Sequence, residues 1–192
     1  PSGKLIGLDW DADNLSQARE RLAATGFPSS IHPSNFAALP KILAAEQLAG
    51  VDLVLADLGM SSMQVDDSER GFSYVRDGPL DMRMDRSRGR TAAKLLATIS
   101  ESDLAAALRE LGDEPEAERI AQAIVTAREQ APLVRTVDLT RVIGESLREP
   151  VTRDAGWRLR PRPNEWKLHP AARSFQAIRL VVNREIPNLQ EL

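Results

Sequence analysis

The polar run LADLGMSSMQVDDSERGFSYVRDGPLDMRMD, Leu55 to Asp85, begins within the end of an apolar stretch, VDLVLAD, and is dense in Asp, Arg, Ser and Gly. Long irregular runs at the end of a core strand are commonly functional loops. Asp57 stands where the apolar stretch stops, and the small residues Gly59, Ser61 and Ser62 beyond it let a ligand come close to the backbone. On spacing alone Asp57 serves equally as an Asx cap of a turn. Asp9 closes an earlier apolar stretch, KLIGLD. A carboxylate there can accept from two adjacent ribose hydroxyls, as at the ends of strands in doubly wound folds, or can cap the next helix. Spacing leaves both uses open. No HExxH and no carboxylate cluster with metal spacing occurs, so no metal site is expected. His32 and His169, each followed by proline, read as local structure.

These residues need elements to position them. Leu5, Ile6 and Leu8 predict a short strand ending at Asp9. A helix should follow, capped by Asp11 or Asp13 and stopped by Gly26. SSIHPSNF reads as a weak strand, residues 37–48 as a second helix, and residues 51–58 as the clearest strand. Alternating strands and helices are the rhythm of a parallel sheet with crossover helices, so the first third is α/β. Beyond Asp85 the pattern turns to alanine-rich helices without a strand between them. Ser100 with Asp103 resembles a capping pair, Pro115 suits a first helical turn, and Thr136 a cap. After the Pro- and Arg-rich link WRLRPRPNEWKL, a last helix opens at His169-Pro170 with Phe175, Ile178 and Val182 on one apolar face.

The 192 residues carry 25 Lys and Arg against 28 Asp and Glu, so no global positive field draws the chain to nucleic acid. Charge is nevertheless uneven. Residues 101–118 are acidic, whereas residues 151–179 hold Arg153, Arg158, Arg160, Arg162, Lys167, Arg173 and Arg179 against Asp154 and Glu165. The basic segment reads either as a phosphate-binding surface or as a solvated linker. The absence of cysteine excludes thiolate catalysis and thiolate-bound zinc within this sequence. No run approaches the ~20 apolar residues of a spanning helix, and a cytoplasmic location without membrane contact is expected. The start at Pro1 and the end within helical sequence suggest a piece of something longer.

The run from Leu55 to Asp85, with HPAARSFQAIRLVVNREI near the end and GLDWDADNL and HPSNFAAL upstream, resembles the signatures of the MraW/RsmH family. Members are S-adenosylmethionine-dependent methyltransferases acting on the exocyclic N4 of a cytidine in small-subunit ribosomal RNA. The resemblance implies that Asp9 binds the cofactor's ribose, that Phe36 lies near the adenine, and that Asp57 and Gln64 line the cofactor pocket beside the reactive methyl. Asp57 is then the candidate acceptor for the cytosine amine, and Arg158, Arg160, Arg162 and Lys167 are candidate RNA contacts. The implied fold is an incomplete Rossmann-like methyltransferase sheet with an inserted all-helical domain. Residues 1–75 would be the partial core, 76–168 the inserted substrate-recognition domain and 169–192 a return helix. The polar run would be the active-site floor and the crossing into the insert. The family's glycine-rich first motif should precede Pro1 and its last segment should follow Leu192; Trp10 and Met63 replace residues more usual in the family. A non-catalytic RNA- or nucleotide-binding fragment is the alternative, and homodimerisation is left open.

Overall fold

The computed structural model describes residues 3–149, 158–159 and 169–192. Strand β1, Leu5–Asp9, leads into helix α1, Ala12–Thr25. Asp11 caps α1 by accepting from the Asp13 N–H, and Gly26 ends it at φ 65°. That left-handed conformation costs glycine nothing, which is why the helix stops there. Strand β2, Ser29–Pro33, pairs parallel with β1 in the register Leu5 to Ser29 through Asp9 to Pro33. The second expected helix is shorter than its apolar pattern: a 3-10 turn, Phe36–Ala38, precedes α2, Leu39–Ala45.

The strand expected over residues 51–58 does not form. These residues have no regular structure, and Leu53 and Leu55 are 83% and 89% exposed. An apolar run becomes a strand only when a neighbour takes up its backbone N–H and C=O groups. Among the described residues, no strand pairs with this run and β1 pairs only with β2.

The remaining elements are α3, Ser62–Asp66; α4, Ala92–Thr98; α5, Glu101–Gly112; α6, Ala117–Gln130; α7, Thr136–Ser146; α8, Ala172–Val182; and α9, Glu185–Gln190. Ser100 caps α5 through the Asp103 N–H at 3.0 Å, as its position predicts. Two capping expectations fail. Pro115 precedes α6, whose cap is Glu116. Thr136 lies inside α7, and its buried hydroxyl instead donates to the Arg76 carbonyl at 2.8 Å and accepts from the Gly78 N–H at 3.0 Å. Tertiary partners outcompeted the local cap. The helical stretch is also interrupted, because β3, Arg148–Glu149, pairs antiparallel with β4, Arg158–Leu159.

Two compact units result. One holds the residues up to Gly59 with 84–88 and 184–192; the other holds 60–83 and 89–183. The main divisions fall after Gly59 and Asn183, with the short segment 84–88 returning to the first unit. In the second unit α5 packs on α6 and α8, and the buried side chains Leu104, Leu108, Ile120, Ile124, Phe175 and Ile178 form its core. A β-carbon at Gly112 would lie 2.7 Å from the Arg173 carbonyl oxygen, so only glycine lets α5 and α8 approach this closely. The third residue of the expected apolar face, Val182, is only half-buried.

Candidate functional site

The expected ligand-binding residues of the first unit gather at the carboxyl end of the parallel pair, the usual place for ligands in such folds. Asp9 ends β1 opposite Pro33 of β2, and Phe36 begins the turn three residues after that strand. Both are half-buried. The Asp9 carboxylate already works locally: one oxygen accepts the Asp11 N–H at 2.8 Å and the other the Asn14 side-chain amide at 3.1 Å. A carboxylate has about four acceptor positions, so capacity for hydroxyl donors remains. Asp11, not Asp9, is the helix cap. Asn35 orients Phe36 by accepting the Ala37 N–H, and α9 packs against the same turn.

Asp57 is exposed within the irregular stretch and has no hydrogen-bond partner among the described residues. It makes no Asx cap. Gln64 belongs to the other unit, is 5% exposed and completes a capping box at the start of α3. Its side-chain oxygen accepts the Ser61 N–H at 2.9 Å, while Ser61 Oγ accepts the Gln64 N–H at 3.3 Å. That bond gives Gln64 a structural task that the sequence left unread, although Ser and Gln three residues apart are its signature. Arg158 lies in the short strand β4. Arg160, Arg162 and Lys167 lie outside the described residues.

The polar run is less a loop than part of a core. Phe72, Leu80 and Met82 are at most 4% exposed, and Arg70, Ser73 and Asp81 are buried with them. Backbone bonds stitch the run to distant residues, Leu80 N–H to the Val134 carbonyl at 2.8 Å and Thr136 N–H to the Gly78 carbonyl at 2.9 Å. Asp81 forks onto Arg83, accepting from Nε at 2.7 Å and from a terminal nitrogen at 2.9 Å. Such bidentate pairing is the strong form of the ion pair. A β-carbon at Gly71, whose φ is 70°, would collide with the Pro79 carbonyl.

Another feature beside Asp9 was not foreseen. The Arg88 guanidinium sits 5.0 Å from the centre of the Trp10 ring, a cation–π contact, while its Nε donates to Asp85. Burial alone would raise the Asp85 carboxyl, but bonds from Ser87 and Arg88 outweigh it and hold the group below the usual carboxylate range. The only advance signal was the unusual tryptophan after Asp9. Among the described residues no group of three or more His, Asp or Glu side chains could hold a metal ion. None of their helices is long and apolar enough to cross a membrane.

A profile described as the MraW methylase family matches residues 1–192. The chain is 41% identical over 190 residues to "Ribosomal RNA small subunit methyltransferase H" of Syntrophobacter fumaroxidans, covering 99% of this chain and 56% of that protein. The protein of the same name from Citrifermentans bemidjiense is 44% identical over 191 residues, 100% of this chain and 57% of the relative. One from Acidithiobacillus ferrooxidans is 45% identical over 186 residues, 97% and 53%. The chain thus spans about half the length of the curated relatives it matches. With the family profile matched from end to end and relatives 41–45% identical, the chain belongs to the MraW methylase family.

Proposed function

We propose that the protein carrying this chain transfers a methyl group from S-adenosylmethionine to the exocyclic N4 of a cytidine in small-subunit ribosomal RNA. The observation that carries the reading is the end-to-end identity of 41–45% with relatives named as small-subunit ribosomal RNA methyltransferases. The residues present fit the cofactor: a carboxylate with acceptor capacity to spare and a half-buried aromatic ring stand at one sheet edge. Asp9 would hold the ribose and Phe36 the adenine, while the side-chain oxygen of Gln64 holds the α3 cap. When bound, the cofactor supplies an electrophilic methyl group.

The protein's own task is alignment. Methyl transfer from a sulfonium releases a neutral leaving group, so the barrier lies mainly in bringing nucleophile, methyl and sulfur into line. Cytosine N4 is a weak nucleophile because its lone pair is delocalised into the ring. An acceptor for its N–H holds the amine in the geometry that frees that pair. Asp57, exposed and without an internal partner among the described residues, is suited to that role. The base must be unstacked to reach the site. Residues 76–168 serve on this reading as the inserted substrate-recognition region. Arg158, Arg160, Arg162 and Lys167 contact RNA phosphates, and the protein works in the cytoplasm, on ribosomal RNA or the small ribosomal subunit.

A second reading, a chain that holds RNA or a nucleotide without catalysis, is favoured by one observation: the segment bearing Asp57 has no regular structure. One experiment separates them. The whole protein, incubated with small-subunit RNA and labelled S-adenosylmethionine, should transfer label to a single cytidine at N4. RNA binding without transfer would establish the second reading, and label on another atom would overturn the N4 assignment.

A further inference from the structure

Three aromatic rings lead from the core of the helical unit to its surface. Phe175 on α8, 4% exposed, stands edge-on to Tyr74, with centroids 5.9 Å apart and planes at 81°. Tyr74, half-buried, stacks in turn on His169, with centroids 4.7 Å apart and planes at 18°. His169 is exposed.

The outermost ring is held from two sides. Tyr74 backs its inner face, and the Ala171 N–H donates to Nδ1 at 3.2 Å. With Nδ1 accepting, the neutral ring carries its proton on Nε2. Tyr74 is fixed too, because Thr140 Oγ1 donates to its carbonyl at 3.2 Å and its ring meets buried Phe175. The Ala172 N–H at the start of α8 bonds to the His169 backbone carbonyl at 2.9 Å, a contact that any residue would provide. Helix initiation alone therefore does not call for a flat ring here.

We propose that the Tyr74–His169 stack is a nucleobase platform, on whose outer face one unstacked base of an RNA strand continues the stack. The inference rests on the RNA reading above and adds to it a binding site for a base. Unstacked bases are commonly held on aromatic side chains, histidine included, and stacking tolerates any base because each has a π-face. A ring already fixed by Tyr74 and Ala171 loses little freedom when the base arrives. The Nε2–H at its edge can serve an acceptor on the neighbouring nucleotide.

The test uses the whole protein and two probes of equal length, an oligocytidylate and a ribose-phosphate chain without bases, with binding followed by fluorescence anisotropy. His169→Ala should weaken oligocytidylate binding roughly five- to a hundredfold. Binding of the baseless chain should not change, and His169→Phe, which restores a plane without Nδ1, should recover most of the loss. A thermal scan of each variant separates binding from folding; should the alanine variant unfold, His169→Leu takes its place in the comparison with phenylalanine. Parental oligocytidylate affinity in the alanine or leucine variant overturns the platform while leaving RNA binding intact. So does a phenylalanine variant as weak as they are. A parent that binds neither probe nor small-subunit RNA overturns the RNA reading and the platform with it.

Discussion

Asn183, at the end of α8, donates its side-chain amide to the Met82 carbonyl at 2.8 Å and to the Arg179 carbonyl at 2.9 Å. Met82 is fully buried and has φ 60°, a conformation that side chains rarely adopt, so the bond closes the polar run where its backbone is strained. Asn183→Leu leaves the Met82 carbonyl buried without this donor, which costs about 1–3 kcal/mol. A urea titration should show a lower midpoint with an unchanged slope. A parental midpoint would mean that the bond contributes nothing net.

The ribose contact proposed for Asp9 can be tested apart from the local bonds its carboxylate makes to Asp11 and Asn14. Asp9→Ala should weaken S-adenosylmethionine binding roughly ten- to a hundredfold, since bonds to a charged acceptor are worth ~1.5–3 kcal/mol. Asn14→Ala removes only the side-chain partner on that carboxylate, leaves the Asp11 N–H in place, and should keep the affinity within about threefold. Calorimetry of both variants decides. Equal losses in the two would make Asp9 a residue that acts by holding α1.

Asp57→Asn keeps size and one acceptor oxygen but removes the charge. Single-turnover methylation at saturating cofactor should slow by about ten- to a hundredfold, while RNA affinity holds, because the bond matters only as the amine aligns. A near-parental rate would return the search for the amine acceptor to the backbone between Leu58 and Gln64.

Acid should loosen the first unit through Glu46. Its carboxylate accepts from Lys4 and from His32 Nε2 at 3.0 Å, and these neighbours, Lys4 foremost, lower its pKa from 4.5 to about 2. A group whose pKa is lower folded than unfolded contributes stability above the unfolded value. That contribution is lost as pH falls from about 4.5 through about 2. Denaturant titrations across this window should show a steeper loss for the parent than for Glu46→Gln, which has no such proton to take up. Parallel curves would remove Glu46 from the acid response.

The basic segment has its own measurement. Replacing Arg158, Arg160 and Arg162 together should weaken RNA binding and flatten its salt dependence by about one unit for each lost phosphate contact, with cofactor affinity unchanged. A parental salt slope would make the segment a linker.

Signals that act within a few residues were legible in the sequence alone. Asp11 and Ser100 cap their helices and Gly26 ends α1 because a short side chain, or none, decides the nearest backbone groups. The long idiosyncratic run from Leu55 to Asp85, with the shorter signatures on either side of it, likewise pointed to the family. The tertiary structure decided whatever depends on a distant partner. Val51 to Leu58 has every local mark of a strand, yet strand pairing belongs to two segments and no described residue completes it. Thr136, a good cap by type, turns its hydroxyl to Arg76 and Gly78, because burial makes their backbone groups costly to leave unmet. His169 read as local structure; only folding brought it onto Tyr74, since ring stacking has no imprint in either residue's sequence neighbourhood.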